Sequence, residues 1–290
     1  MHQPVLLKEV LEYLEPKSGE NFIDCTIGLA GHGLILLEKN KPSGKVLGIE
    51  WDEQTSNILK QRKSDSRLIL VQGNYADLKE IAKQNNFESI KGILFDLGMS
   101  SWQIEKSGRG FSFQKDEILD MRYHPEGITA QEIVNQWPQE ELIRIFREYG
   151  EERYAQRIAR LICQKRQRQS IKTTNQLVEI IVQAAPRTYQ RRKINPATQV
   201  FQALRIAVND ELNNLNKALP QASEILEKDG RIVVISFHSL EDRIVKHFFR
   251  QAAREKKLKI LTKKPIRPSQ EEIKFNPRSR SAKLRAAQKI

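Results

Sequence analysis

Cysteine is almost missing from this 290-residue chain: only Cys25 and Cys163 occur, far apart and outside any C-x-x-C spacing. Neither a disulfide framework nor a cysteine zinc site is therefore indicated, and both read as small core residues. No apolar run approaches the ~20 residues of a membrane helix, and Met1, His2, Gln3 and Pro4 do not open a charged-then-apolar leader. The expectation is a soluble, cytoplasmic protein without a membrane partner. The five histidines, His2, His32, His124, His238 and His247, show no ligand spacing, so no metal is expected. The G-x-S-x-G elbow of serine hydrolases is also lacking.

What the chain has in excess is positive charge, a formal +13. Residues 251–290 hold 13 Lys and Arg against 3 Glu, so this tail carries +10 and the preceding 250 residues only +3. A basic tail favours a polyanion through phosphate neutralisation and counterion release. A merely solvated charge run has the same composition. Apolar residues at 258–261 and 282–287 imply that part of the tail folds.

The densest local signal is at 21–52, which reads as strand, glycine-rich turn, helix and strand. An apolar run at 22–25 contains Asp24, and Gly28, Gly31 and Gly33 allow a tight turn and close approach by a ligand. A second strand at 46–49 then delivers Glu50, a carboxylate placed to grip ribose hydroxyls in a doubly wound sheet. The glycines run G-x-x-G-x-G rather than the G-x-G-x-x-G of dinucleotide sites. An acid near the loop and another at the second strand suit a ligand with an α-amino group and a sulfonium, such as S-adenosylmethionine.

Further strands are expected at 67–72, 91–96 and 230–237, with helices between the early ones, which argues for a mostly parallel sheet. From about 107 to 219 the apolar spacing is helical, at 140–149, 153–162 and 173–184, and one long helix starting near Pro196 leads into the fifth strand. The fold class expected is α/β, a doubly wound Rossmann-like sheet with an inserted all-helical domain. Its divisions are 1–106, the insertion 107–205, and 206–290 with the basic tail, which adds two edge strands near 258–261 and 283–286.

At the end of the fourth strand, Asp96 opens DLGMSSWQ and reads either as the leading active-site carboxylate or as the cap of the following turn. The fifth strand ends in SFHSLEDR, where Ser239 and Asp242 resemble a capping box and His238 is a candidate hydrogen-bonding site residue. Phe111 and Phe113 beside Arg109 and Arg122 suit either base stacking or a core plug. Arg191, Arg192 and Lys193 form a basic loop suited to phosphate or simply to solvent.

Several separated stretches, among them HQPVLLKEV, DLGMSSWQ, GFSFQKDEILDMR, YGEERYAQRIAR, NPATQVFQALRI, SFHSLEDRIVKHFF and NPRSRSAKLR, together give a specific pattern over nearly the whole chain. It resembles the bacterial RsmH or MraW family, S-adenosylmethionine-dependent methyltransferases that modify N4 of a cytosine in small-subunit ribosomal RNA. The resemblance implies S-adenosylmethionine as cofactor, contacted by Ala30, Gly31, His32, Glu50, Tyr75, Asp96 and Gln103. It implies small-subunit ribosomal RNA or the assembled small subunit as partner and leaves room for a homodimer. Ala30 stands where the family has glycine, Glu50 where it has aspartate, Tyr75 where it has phenylalanine, and Trp102 where proline is common. Asp96 is the first choice for a catalytic role, with Asp120, His238 and Ser239 as candidates for positioning substrate. Two rivals are carried alongside: a non-catalytic ribosomal-RNA-binding assembly factor, and a nicotinamide-dependent oxidoreductase.

Overall fold

Short apolar segments separated by helices produce the sheet expected from the sequence. The structure is a computed structural model that describes residues 4–62, 65–186, 189 and 195–290. Strands β1 (Asn21–Asp24), β2 (Val46–Glu50), β3 (Leu68–Gln72), β4 (Ile90–Asp96) and β5 (Leu226–Ser236) are parallel. β6 (Leu258–Ile260) and β7 (Lys283–Lys289) join them antiparallel, and the strand order is β3-β2-β1-β4-β5-β7-β6. The switch point lies between β1 and β4, where chain progression reverses and where ligands of such sheets bind at the carboxyl ends.

Two compact units divide the chain, Met1–Gly98 with Leu212–Ile290, and Met99–Glu211. In the first, Ile23, Leu47, Ile93, Phe95 and Val234 pack on one face of the sheet with Phe249, while Phe22, Val46, Leu94, Val233 and Leu284 form a second cluster with Leu6, Val10 and Leu36. The helices of this unit include α1 (Leu7–Leu14), α2 (Gly31–Lys39), α3 (Glu53–Arg62) and α4 (Leu78–Gln84). Continuous burial along β4 follows from covering both faces of a parallel sheet.

The second unit is helical: α5 (Ser101–Glu105), α6 (Ala130–Gln136), α7 (Gln139–Glu148), α8 (Ala155–Arg166), α9 (Thr174–Ala184) and α10 (Ala197–Asn209). Leu142, Ile145, Phe146, Ile158, Ile162 and Leu177 recur at helical spacing and are fully buried in one core. The stretch 107–205 falls inside this unit.

Two expectations are corrected. The single long helix after Pro196 is two, α10 and α11 (Glu211–Ile225), broken where Asp210 turns left-handed at φ 49°. An aspartate tolerates that conformation, and Asn209 fixes the break by donating to the carbonyl of Met121 and accepting from the amide of Tyr123. Of the two tail strands only β6 is an edge, because β7 lies between β5 and β6. Of the two readings of Phe111 and Phe113 the structure favours packing: Phe111 is buried and stacked on Tyr123 at 5.3 Å, and the half-buried Phe113 lies edge-on to Phe201 at 5.4 Å. Among the described residues no helix is long and apolar enough to cross a membrane.

Candidate active site

The registers set the site. Asp24 pairs with Gly48 on one side and Leu94 on the other, so Glu50 and Asp96 each stand two residues beyond it at the rims of the flanking strands. The chain leaving β1 threads between them: the Cys25 amide donates to the Leu94 carbonyl at 2.8 Å and the Ile27 amide to the Ile49 carbonyl at 3.0 Å. Asp24 Oδ1 accepts from the Thr26 amide at 3.1 Å, and the Thr26 hydroxyl oxygen accepts from the Asp96 amide at 2.7 Å. Glu50 Oε1 accepts from the Asp52 amide at 2.8 Å, and its carboxylate also takes the Gly28 N–H. Three acids on three adjacent strands are thus stitched to one loop.

This crowding shows in their acidity. Burial pushes Asp24 up to about 6, opposed by the nearby His32 and the Thr26 amide and reinforced by Asp96. Burial pushes Glu50 up to about 8, opposed by the amides of Asp52 and Gly28 and reinforced by the charges of Asp52 and Asp24.

The turn after β1 is shaped partly by packing. Ala30 caps α2 in the left-handed region at φ 64°, a conformation that glycine adopts without strain, and is fully buried. Gly33 and Gly48 both face Ile27; a Cβ would come within 2.3 Å of its Cδ1 at Gly33 and 2.8 Å of its Cγ1 at Gly48. These two glycines make room for a core side chain, so the close ligand approach expected of Gly33 is not what its geometry serves. His32 is buried, and its Nε2 lies 3.0 Å from the Val5 carbonyl. A carbonyl only accepts, so this nitrogen bears the proton and Nδ1 faces Asp96 Oδ2 at 3.6 Å.

Tyr75 lies in a 3₁₀ turn (Tyr75–Asp77) after β3, begun by Asn74, whose side chain accepts from the Ala76 amide. Its ring stands edge-on to Phe95 at 5.8 Å, and the Gly73 amide donates to the Glu50 carbonyl, which brings this turn beside β2. Past β5, His238 caps α12 (Ser239–Arg254) with its imidazole accepting from the Glu241 amide, while Glu241 accepts from the amides of Phe237 and His238. The capping box is therefore His238 with Glu241, one residue earlier than the expected Ser239 with Asp242. Asp242 is used elsewhere, accepting from Arg285 Nε at 2.6 Å, and Ser239 is the first helical residue.

In the helical unit, Gln103 is buried and closes a capping box with Ser100, accepting from its amide at 2.9 Å. Asp120 holds the Arg122 guanidinium through two bonds, at 2.7 and 3.1 Å, and accepts from the Arg122 amide at 3.2 Å. Arg191, Arg192 and Lys193 lie outside the described residues. The sequence pattern singled out no role for Thr26, because its importance comes from bridging two strands that are 70 residues apart. Asp24 was legible only as an acid near the loop.

A family model described as the MraW methylase family matches residues 1–290. A ribosomal RNA small subunit methyltransferase H of Halothermothrix orenii is 45% identical over 306 residues, spanning 100% of this chain and 98% of the relative. Proteins of the same name from Thermomicrobium roseum and Pseudothermotoga lettingae are each 47% identical, over 308 and 296 residues, spanning 100% of this chain and 94% and 99% of theirs. With its carboxylate-rimmed, mostly parallel sheet and this match along its whole length, the chain belongs to the MraW methylase family.

Proposed function

We propose that this protein transfers the methyl group of S-adenosylmethionine to the exocyclic N4 of a cytosine in small-subunit ribosomal RNA. When bound, the donor supplies an electrophilic methyl on a positively charged sulfur. The observation that carries the reading is the set of carboxylates Asp24, Glu50 and Asp96 on adjacent strand rims, two of them pushed upward in pKa. Ammonium and sulfonium charge relieves their mutual repulsion, and ribose hydroxyls donate to Glu50. The half-buried Tyr75 ring offers a face to adenine, and Ala30, Gly31 and His32 form the cap and first residues of α2, with His32 Nδ1 3.6 Å from Asp96.

The cytosine amine is a poor nucleophile because its lone pair is delocalised into the ring. Asp96, with the carbonyls of the turn after it, accepts hydrogen bonds from the amine protons or holds the methionine end of the donor, so that nitrogen becomes tetrahedral in line with the methyl. His238 and Ser239, just past the neighbouring strand β5, are assigned to substrate positioning. Gln103 is assigned to the donor from the family resemblance, and Asp120 to substrate positioning. A base out of its stack is required, which gives the basic tail a use.

The test is transfer from isotopically labelled donor to small ribosomal subunits and to free ribosomal RNA, followed by mass spectrometry of nucleosides. N4-methylcytidine is expected with the parent and none with Asp96→Ala. Unchanged transfer by Asp96→Ala at normal donor affinity removes Asp96 from the scheme, and a methylated nucleoside other than N4-methylcytidine overturns the assignment of the target atom.

A further inference from the structure

The stretch NPRSRSAKLR has no part in the acidic rim, yet it is firmly built. It follows a short helix, α13 (Gln270–Phe275), begun by Ser269, whose hydroxyl oxygen accepts from the Glu272 amide at 3.0 Å. Glu272 in turn accepts from the Leu6 amide at 2.8 Å, which fastens α13 to the segment ahead of α1. After Asn276 the chain makes a 3₁₀ turn (Pro277–Ser281) in which Ser279 is fully buried and its hydroxyl donates to the Asn276 carbonyl at 2.8 Å. β7 then enters the sheet beside β5.

On this anchored scaffold Phe275 is 73% exposed, more than Leu34, Ile118 or Ile290, the other exposed large apolar side chains among the described residues. Burial of Ser279 turns its neighbours Arg278 and Arg280 outward, and Lys274 is exposed beside the ring. Residues 263–281 hold Lys263, Lys264, Arg267, Lys274, Arg278 and Arg280 against Glu271 and Glu272, and one of these two acids is already engaged by Leu6. A solvent-facing aromatic ring on an anchored helix, flanked in sequence by exposed cations, complements a chain of phosphates carrying unstacked bases, since every base has a face to stack and every linkage a charge to neutralise.

We propose that Phe275, with Lys274, Arg278 and Arg280, forms a binding surface for an unpaired stretch of RNA, one base stacking on the Phe275 ring. This rests on the ribosomal RNA methyltransferase reading and adds to it a location for the strand outside the acidic rim.

The experiment is fluorescence anisotropy of the full-length protein with a labelled single-stranded oligoribonucleotide and with the matching duplex, over a salt series. Phe275→Ala is expected to weaken single-strand binding roughly ten-fold while leaving the salt slope and duplex binding unchanged, and Phe275→Tyr to restore it. Lys274→Gln with Arg280→Gln is expected to lower the single-strand salt slope by about 1.4, roughly 0.7 for each phosphate no longer neutralised. Calorimetric affinity for S-adenosylmethionine is expected to be unchanged in every variant. Single-strand affinity of Phe275→Ala equal to the parent, or an equal loss on single strand and duplex, overturns the proposal even where donor binding is intact. Failure of the parent to bind donor counts instead against the methyltransferase reading. Loss of association with a ribosomal protein alone, with RNA affinity kept, reassigns the surface to a protein partner and likewise overturns it.

Discussion

His32 Nδ1 lies 3.6 Å from the Asp96 carboxylate. The opposite ring nitrogen is engaged by the Val5 carbonyl, so the imidazole ties the segment before α1 to the acidic rim and is the one basic group that opposes the upward pKa shift of Asp24. His32→Ala is therefore expected to destabilise the fold by ~1–3 kcal/mol through the unpaired Val5 carbonyl. It should also weaken donor binding most near neutrality, because Asp24, already at about 6, rises further and loses charge. Raising the pH to 8.5 restores that charge, so the affinity deficit should shrink. Calorimetry at three pH values measures the ratio of variant to parent, and a pH-independent ratio rejects the electrostatic part.

Glu50 binds a proton in the folded protein that it lacks when unfolded, throughout the window between its ordinary 4.5 and about 8. Stability from this group is thus greatest below pH 4.5 and is lost as pH rises toward 8. Because Glu50 is only half-buried, the loss is expected to be on the order of 2–3 kcal/mol, below the full value of 1.36 kcal/mol per pKa unit. Glu50→Gln should flatten denaturant-derived stability over that window.

Donor binding favours the ionised form of the same carboxylate, which accepts the ribose hydroxyls. Near pH 7 the complex should accordingly release close to one proton. Calorimetry in buffers of different ionisation enthalpy reads this directly: the apparent enthalpy should vary with buffer for the parent and much less for Glu50→Gln. A buffer-independent parent enthalpy would show that Glu50 does not change its charge when the donor arrives.

Ala30 at φ 64° carries a left-handed backbone penalty of ~1–2 kcal/mol, yet its methyl is fully buried, which offsets ~0.8 kcal/mol. Ala30→Gly should consequently be within ~1 kcal/mol of the parent in urea denaturation, whereas Ala30→Val, β-branched in the same conformation, should lose ~3 kcal/mol or more. Equal stability of the valine variant would mean that the loop relaxes out of the left-handed region.

The parallel sheet was legible because its first four strands are short apolar runs ending in a polar residue, and Asp24, Glu50 and Asp96 stand at three of those ends. Features that depend on distant partners were not. Thr26 matters through an amide 70 residues away, and β7 is internal because β6 pairs on its far side. The choice between base stacking and packing for Phe111 and Phe113 depends on Tyr123 and Phe201, which lie against them. The α12 cap slipped by one position because the imidazole of His238 accepts the Glu241 amide. Asp242, which local pattern assigned to that cap, turns instead toward β7.

The Asp242 contact gives the sharpest stability test of the tail. Arg285 on β7 is 7% exposed and donates to Asp242 through Nε at 2.6 Å and Nη2 at 3.3 Å, with Lys283 Nζ 3.9 Å from the same carboxylate. Removing the acid alone strands a guanidinium with little access to water, so Asp242→Ala should lose ~3–5 kcal/mol. Asp242→Asn keeps one acceptor and should lose less. Removing both partners with similar volume, Asp242→Ala with Arg285→Met, should recover much of the loss, because a buried pair is worth little net against an apolar replacement. Since β7 also supports the edge strand β6, hydrogen exchange in Asp242→Ala should rise first at Leu258–Ile260 and Lys283–Lys289 while β1 and β4 stay protected. Uniformly faster exchange across all seven strands would show that the ion pair stabilises the sheet as one cooperative unit rather than its antiparallel edge.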